Sequence, residues 1–66
     1  MRYRIEIWII GHCNAYFESD SIDDILQYYN DNYRSLFEYG GCAFDVYDNG
    51  RLLTFKEEYD LGFHGK

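Results

Sequence analysis

The sequence predicts an α+β fold. Two β-hairpins are joined by one amphipathic helix (ββαββ, with a short C-terminal helix), giving a four-stranded, mainly antiparallel sheet with the helix on one face. Three observations predict it. Residues 3–10 alternate in polarity at the period of a strand. From Ile22 onward the apolar residues recur at helical spacing, and Asn49-Gly50 sits between two runs of strand formers.

In the first strand, Tyr3, Ile5, Ile7 and Ile9 fall on one side and Arg2, Arg4, Glu6, Trp8 and Ile10 on the other. Gly11-His12 suits a type II′ turn, or "GHCN" a four-residue one, and "CNAYFE" returns as the second strand. Either register places Tyr16 with Ile5, Ile7 and Ile9, and places Ala15 and Phe17 with Trp8 and Ile10.

The helix follows. Ser19, Asp20 and Ser21 compete for its N-cap, and Ser21 to Asp24 has capping-box spacing with Asp in place of Glu. Ile22, Ile25, Leu26, Tyr29 and Tyr33 form one apolar stripe; Asp23, Asp24, Gln27, Asn30, Asp31 and Arg34 lie opposite.

In "CAFDVYDNGRLL" the Asn-Gly pair supplies the two positive φ angles of a type I′ turn. Asp48 then faces Arg51, Tyr47 faces Leu52 and Val46 faces Leu53. Cys42, Phe44, Val46 and Leu53 share the core side, with Ala43, Asp45, Tyr47 and Leu52 outward. Thr54 and Glu57 have capping-box spacing, and Gly62 before Phe63 has the form of a helix stop, so the chain closes on a short helix. Phe55, Tyr59, Leu61 and Phe63 of this tail are expected to help cover the sheet face that the long helix leaves open. Which strands are central is not fixed by the pattern.

At 66 residues the chain is expected to be complete and to form one domain over residues 1–66, close to the lower limit for a core without metals or disulfides. Apolar residues make up 47% and aromatic residues 21% of it, with eight Tyr and five Phe, so large rings supply most of the burial. Twelve acidic residues against six basic ones give a formal charge of −6. That balance disfavours direct contact with nucleic acid or an anionic membrane and favours a basic partner. The first strand is too short and too charged to cross a bilayer, and no leader precedes it, so a cytoplasmic location is expected.

Catalytic signatures are missing. Cys13 and Cys42 have no disulfide-framework spacing and are both expected as small buried hydrophobes. His12, Cys13, Cys42 and His64 are zinc-ligand types without the paired spacings of a zinc site, so neither metal nor cofactor is expected. The serines read as helix caps or helix exit, and Gly40-Gly41 lacks the lysine and helix of a phosphate loop. A non-enzymatic chain with no catalytic residues is expected.

Two surfaces remain as candidates. Asp20, Asp24 and Asp31 fall in a narrow helical sector bordered by Tyr28, with a rise of about 6 Å per four residues, comparable to phosphate spacing along a nucleic-acid strand. Such a row can imitate a phosphate backbone and dock on the basic site of a nucleic-acid-binding protein. Trp8, Phe17, Tyr47 and Leu52 form a possible second interface on the outer sheet face, suited to a homodimer. In size and composition the whole chain resembles small acidic proteins of phages and mobile elements, including inhibitors of host nucleases and CRISPR effectors. The resemblance implies a protein-binding inhibitor.

Overall fold

The computed structural model describes residues 1–33 and 42–64, with Tyr33 described by its backbone alone. Its architecture is α+β. Strands β1 (Tyr3–Ile9), β2 (His12–Ser19), β3 (Cys42–Asp48) and β4 (Arg51–Leu52) form one antiparallel sheet in the order β2-β1-β3-β4. Helix α1 (Ile22–Tyr28) runs into a π-helical turn, Tyr29–Tyr33, and α2 (Phe55–Leu61) closes the chain. The two central strands come from different hairpins: β1 pairs with β3 so that Ile5 faces Val46 and Ile7 faces Phe44.

Burial follows the β1 alternation. Ile5 and Ile7 are fully buried together with Val46, Ile25 of α1 and Phe63, and Tyr29 and Leu53 complete the cluster. Each fully buried aliphatic or Phe side chain contributes about 1.5–3 kcal/mol of transfer free energy. Tyr3, Ile9, Ile22, Leu26, Phe44 and Leu61 pack around this core.

The first hairpin departs from the expected register. Its turn is Ile10-Gly11, with φ of 49° and 79°, the positive pair that a type I′ turn requires. Ile9 therefore pairs with His12 and Trp8 with Cys13, but Ile7 pairs with Ala15: Asn14 is an extra residue, a β-bulge. One inserted residue reverses the facing of everything beyond it. Ala15 and Phe17 consequently turn inward with Ile7 and Ile5, and Tyr16 turns outward opposite Glu6. Cys13, on the outer side at the start of β2, is exposed rather than buried, and Cys42 is half-buried.

The second hairpin keeps its expected register, with Asp48 opposite Arg51 and Tyr47 opposite Leu52. Asn49 and Gly50 have φ of 52° and 82°, and the Leu53 amide donates to the Val46 carbonyl at 2.8 Å.

At α1 the N-cap residue is Ser21, yet its side chain makes no capping bond. Asp24 instead reaches past it to the buried Ser19, whose hydroxyl donates to Asp24 Oδ2 at 2.8 Å and accepts from the Ser21 amide at 3.1 Å. Regular α-helix ends at Tyr28. The predicted stripe continues through buried Tyr29, whereas the Tyr33 side chain, Arg34 and Gly40-Gly41 lie outside the described residues.

Helix α2 has both of its sequence signals. Thr54 and Glu57 form a reciprocal capping box. Gly62, at φ 113°, closes a Schellman motif in which the Gly62 amide donates to the Tyr59 carbonyl and the Phe63 amide to the Glu58 carbonyl, both at 3.1 Å. Buried Glu58 lies 2.8 Å from His64 Nε2. The tail packs on the same sheet face as α1, not on the opposite one: Phe63 meets Tyr29 at 5.2 Å and Phe44 at 5.5 Å between ring centroids, and Phe55 and Tyr59 stay exposed. On the inner face α1 contacts β1 and β2, and Phe63 is fully buried beside Phe44 of β3.

Candidate functional site

Charge is distributed unequally between the sheet and α1. Arg2 binds Asp48 through two nitrogens at 2.9 and 3.2 Å, and Arg51 binds Glu57 through two at 3.0 and 2.8 Å. Arg4 contacts Glu6 at 2.9 Å and Glu18 at 3.6 Å, with its guanidinium 4.0 Å from the Tyr16 ring centroid. The hydrogen bond from Arg2 holds the Asp48 carboxyl below its usual range. Hydrogen bonds from Arg51 and from the Thr54 backbone push Glu57 down to about 2. Partial burial, followed by the nearby Glu6 and Asp45 carboxylates, raises the Tyr47 phenol.

Among the described residues no such pairing reaches the helix. Among the described residues, Asp20, Asp23, Asp24 and Asp31 form no salt bridge. Asp20 precedes the first helical turn, because Ser21 is extended, and its carboxylate accepts the Arg2 backbone amide at 2.9 Å. It therefore lies outside the helical row. Asp24 is fixed by Ser19, and Asp31 is exposed in the π-helical turn.

The structure brings Asp24, Tyr28 and Asp31 together at a shallow groove of about 250 Å³, which Phe17, Gln27 and Asn32 complete. Its aromatic wall is built across two elements: the Phe17 ring on β2 stacks on the Tyr28 ring on α1 at 4.7 Å between centroids and 9° between planes. The Asn32 side-chain amide donates to the Tyr28 carbonyl at 3.1 Å, bracing the α-to-π junction.

Strand parity alone places Phe17 on the outer face, and its place in this groove follows from the bulge at Asn14. A signal for that register existed in the sequence. The bulged pairing sets Arg4 directly opposite Glu18, an opposite-charge cross-strand pair that neither expected turn provides.

Of the second candidate surface, Trp8, Tyr47 and Leu52 do share the outer sheet face, while Phe17 does not. Leu52 and Tyr16 are 52% and 58% exposed there. The Arg4, Glu6 and Glu18 cluster divides this surface, so its apolar side chains are not continuous. A depression of about 400 Å³ lies beside that cluster, lined by Met1, Arg2, Arg4, Glu6, Glu18, Tyr47 and Gly50.

His12 and Cys13 lie at the exposed tip of the first hairpin, whereas His64 packs 5.0 Å from the Phe44 ring. Among the described residues no group of three or more His, Cys, Asp or Glu side chains could hold a metal ion, and no helix is long and apolar enough to cross a membrane. No protein-family model, curated protein or solved structure matches the chain significantly.

Proposed function

We propose that this protein is a non-enzymatic binding module that presses the acidic face of α1 onto a basic site of a nucleic-acid-binding protein. It acts there as an inhibitor of the phage or mobile-element kind, an anti-CRISPR or anti-nuclease protein. One observation carries the reading: the described arginines pair with carboxylates of the sheet and α2, and among the described residues the α1 carboxylates form no salt bridge. Uncompensated charge on one face steers a basic partner and fixes how it docks. The face is also pre-ordered, since Ser19 holds Asp24 and Phe17 holds Tyr28, so less side-chain freedom is lost on binding.

The test is capture of basic, nucleic-acid-binding proteins from host lysate at low and high salt, by wild type and by a variant with Asp20→Asn, Asp24→Asn and Asp31→Asn together. Asn keeps an acceptor for the Arg2 amide and for Ser19, so the fold is retained while charge is lost. Salt-sensitive capture that disappears in the variant is expected. Capture that persists in the variant would remove the α1 face from the interaction.

A second reading, a self-associating structural domain, is favoured by the outer sheet face. Neither α2 nor α1 covers it, and Leu52 and Tyr16 remain exposed there. A solution mass measured from micromolar down to nanomolar concentration separates the two: a dimer across that range supports self-association, and a monomer throughout rules it out.

A further inference from the structure

The two edges of the sheet differ. β4 is two residues long and hands over at once to the Thr54 cap of α2, whereas β2 runs from His12 to Ser19 and, among the described residues, has a strand partner on one side alone. β2 carries neither lysine nor proline, the residues that commonly blunt an open edge, and beyond its bulge at Asn14 the stretch from Ala15 to Ser19 is regular.

The ladder decides which main-chain groups this edge offers. The Leu53 amide donates to the Val46 carbonyl and the Asn49 amide to the Arg2 carbonyl. Hydrogen-bonded pairs recur at every second residue of an antiparallel ladder. Even-numbered residues of β1 therefore bond toward β3, and odd-numbered ones toward β2, where Ile5 faces Phe17 and Tyr3 faces Ser19. The two-residue turn that sets Ile9 opposite His12 gives the same alternation. Tyr16 and Glu18 thus turn their N–H and C=O away from the sheet, as two donors and two acceptors at strand spacing.

We infer that the β2 edge takes an extended segment of the basic partner as a fifth strand, bonded to the main chain of Tyr16 and Glu18, with its cationic side chains turned to the α1 side. The inference rests on the acidic docking reading and deepens it by stating the conformation in which the partner is held. In strand addition the main chain supplies affinity and alternate side chains supply specificity. Side chains opposite Ala15, Phe17 and Ser19 share the face of α1, where Asp24 and Asp31 stand beside Phe17, so charge complementarity places cations there. A second copy of this chain, at a formal charge of −6, fits less well. Paired antiparallel through β2, it would set two acidic helices on the same side of the joined sheet.

The experiment uses a fluorescein-labelled heptapeptide of alternating lysine and threonine, read by fluorescence anisotropy at low salt. Beside it stand two versions of equal charge, N-methylated at every threonine or at every lysine. With lysines facing α1, the threonine amides are the ones that reach the Tyr16 and Glu18 carbonyls. Methylating them should weaken binding at least about tenfold, through loss of those hydrogen bonds, and methylating the lysine amides should change it by less than about threefold. Hydrogen exchange followed by NMR should show the Tyr16 and Glu18 amides slowed by the unmodified peptide. Equal binding of all three peptides would overturn the strand addition while leaving the acidic docking face standing. A loss confined to the lysine-methylated peptide, or exchange protection that misses Tyr16 and Glu18, would overturn it as well. No binding of any peptide at millimolar concentration would remove both the docking face and the strand addition.

Discussion

The carboxylates of the sheet end and those of α1 are the same chemical groups with different partners. Asp48 and Glu57 each hold an arginine through two short bonds, and Glu57 also closes the α2 capping box. Their charge is consumed inside the fold, and their lowered pKa values record it. Among the described residues Asp23 and Asp31 on the helical side form no salt bridge, and Asp24 stands between the classes because it accepts from the neutral Ser19 hydroxyl. The comparison teaches that net charge alone does not locate a functional surface. What matters is which charges the fold leaves uncompensated.

Acid should break the two regions apart most visibly. Asp48 and Glu57 have folded pKa values below their unfolded ones, so their stabilisation is fully present above the unfolded values of about 3.9 and 4.3. It is lost as pH falls through the folded values, which for Glu57 lies at about 2. Melting temperature followed by circular dichroism should therefore fall between about pH 4.5 and 2. Arg51→Ala should melt lower than wild type near neutral pH, with the gap closing as pH drops through that window. A gap that stays constant to pH 2 would contradict the assignment.

Ser19→Ala tests the intermediate case. It removes a buried hydroxyl that serves both the Asp24 carboxylate and the Ser21 amide, and a loss of about 1.5–3 kcal/mol in urea denaturation is expected. Thr54→Ala breaks the α2 capping box that Glu57 shares, and about 1 kcal/mol should be lost by the same measurement. Asp31→Asn should change stability by no more than about 0.5 kcal/mol, because the carboxylate is exposed and forms no salt bridge among the described residues. A larger loss would move Asp31 into the structural class.

Much of this arrangement is legible in the sequence, and the two hairpin turns show where legibility stops. Both have positive φ at their two central residues. Asn49-Gly50 announces this because both residue types tolerate that region, and the register of β3 and β4 follows directly. Ile10-Gly11 does not, because a β-branched residue is a poor candidate for φ of 49°. The bulge at Asn14 then compounds the error, since one extra residue exchanges Phe17 for Tyr16 on the core side. The α1 stripe, both ends of α2 and the core side of β3 were readable because each rests on local periodicity or capping chemistry. The groove was only half readable. Asp24, Tyr28 and Asp31 follow from helical spacing, whereas Phe17 arrives through a tertiary pairing and Asp20 falls outside the row because the helix starts at Ile22.

The central claim is that the α1 face occupies the nucleic-acid site of a basic protein. Its most direct test takes a basic protein captured by the wild-type chain and adds duplex oligonucleotide in increasing amounts. Displacement in proportion to the oligonucleotide is predicted, together with no capture by the Asp20→Asn, Asp24→Asn, Asp31→Asn variant. A ternary complex in which oligonucleotide and this chain bind side by side, with the variant captured as well as wild type, would contradict the account.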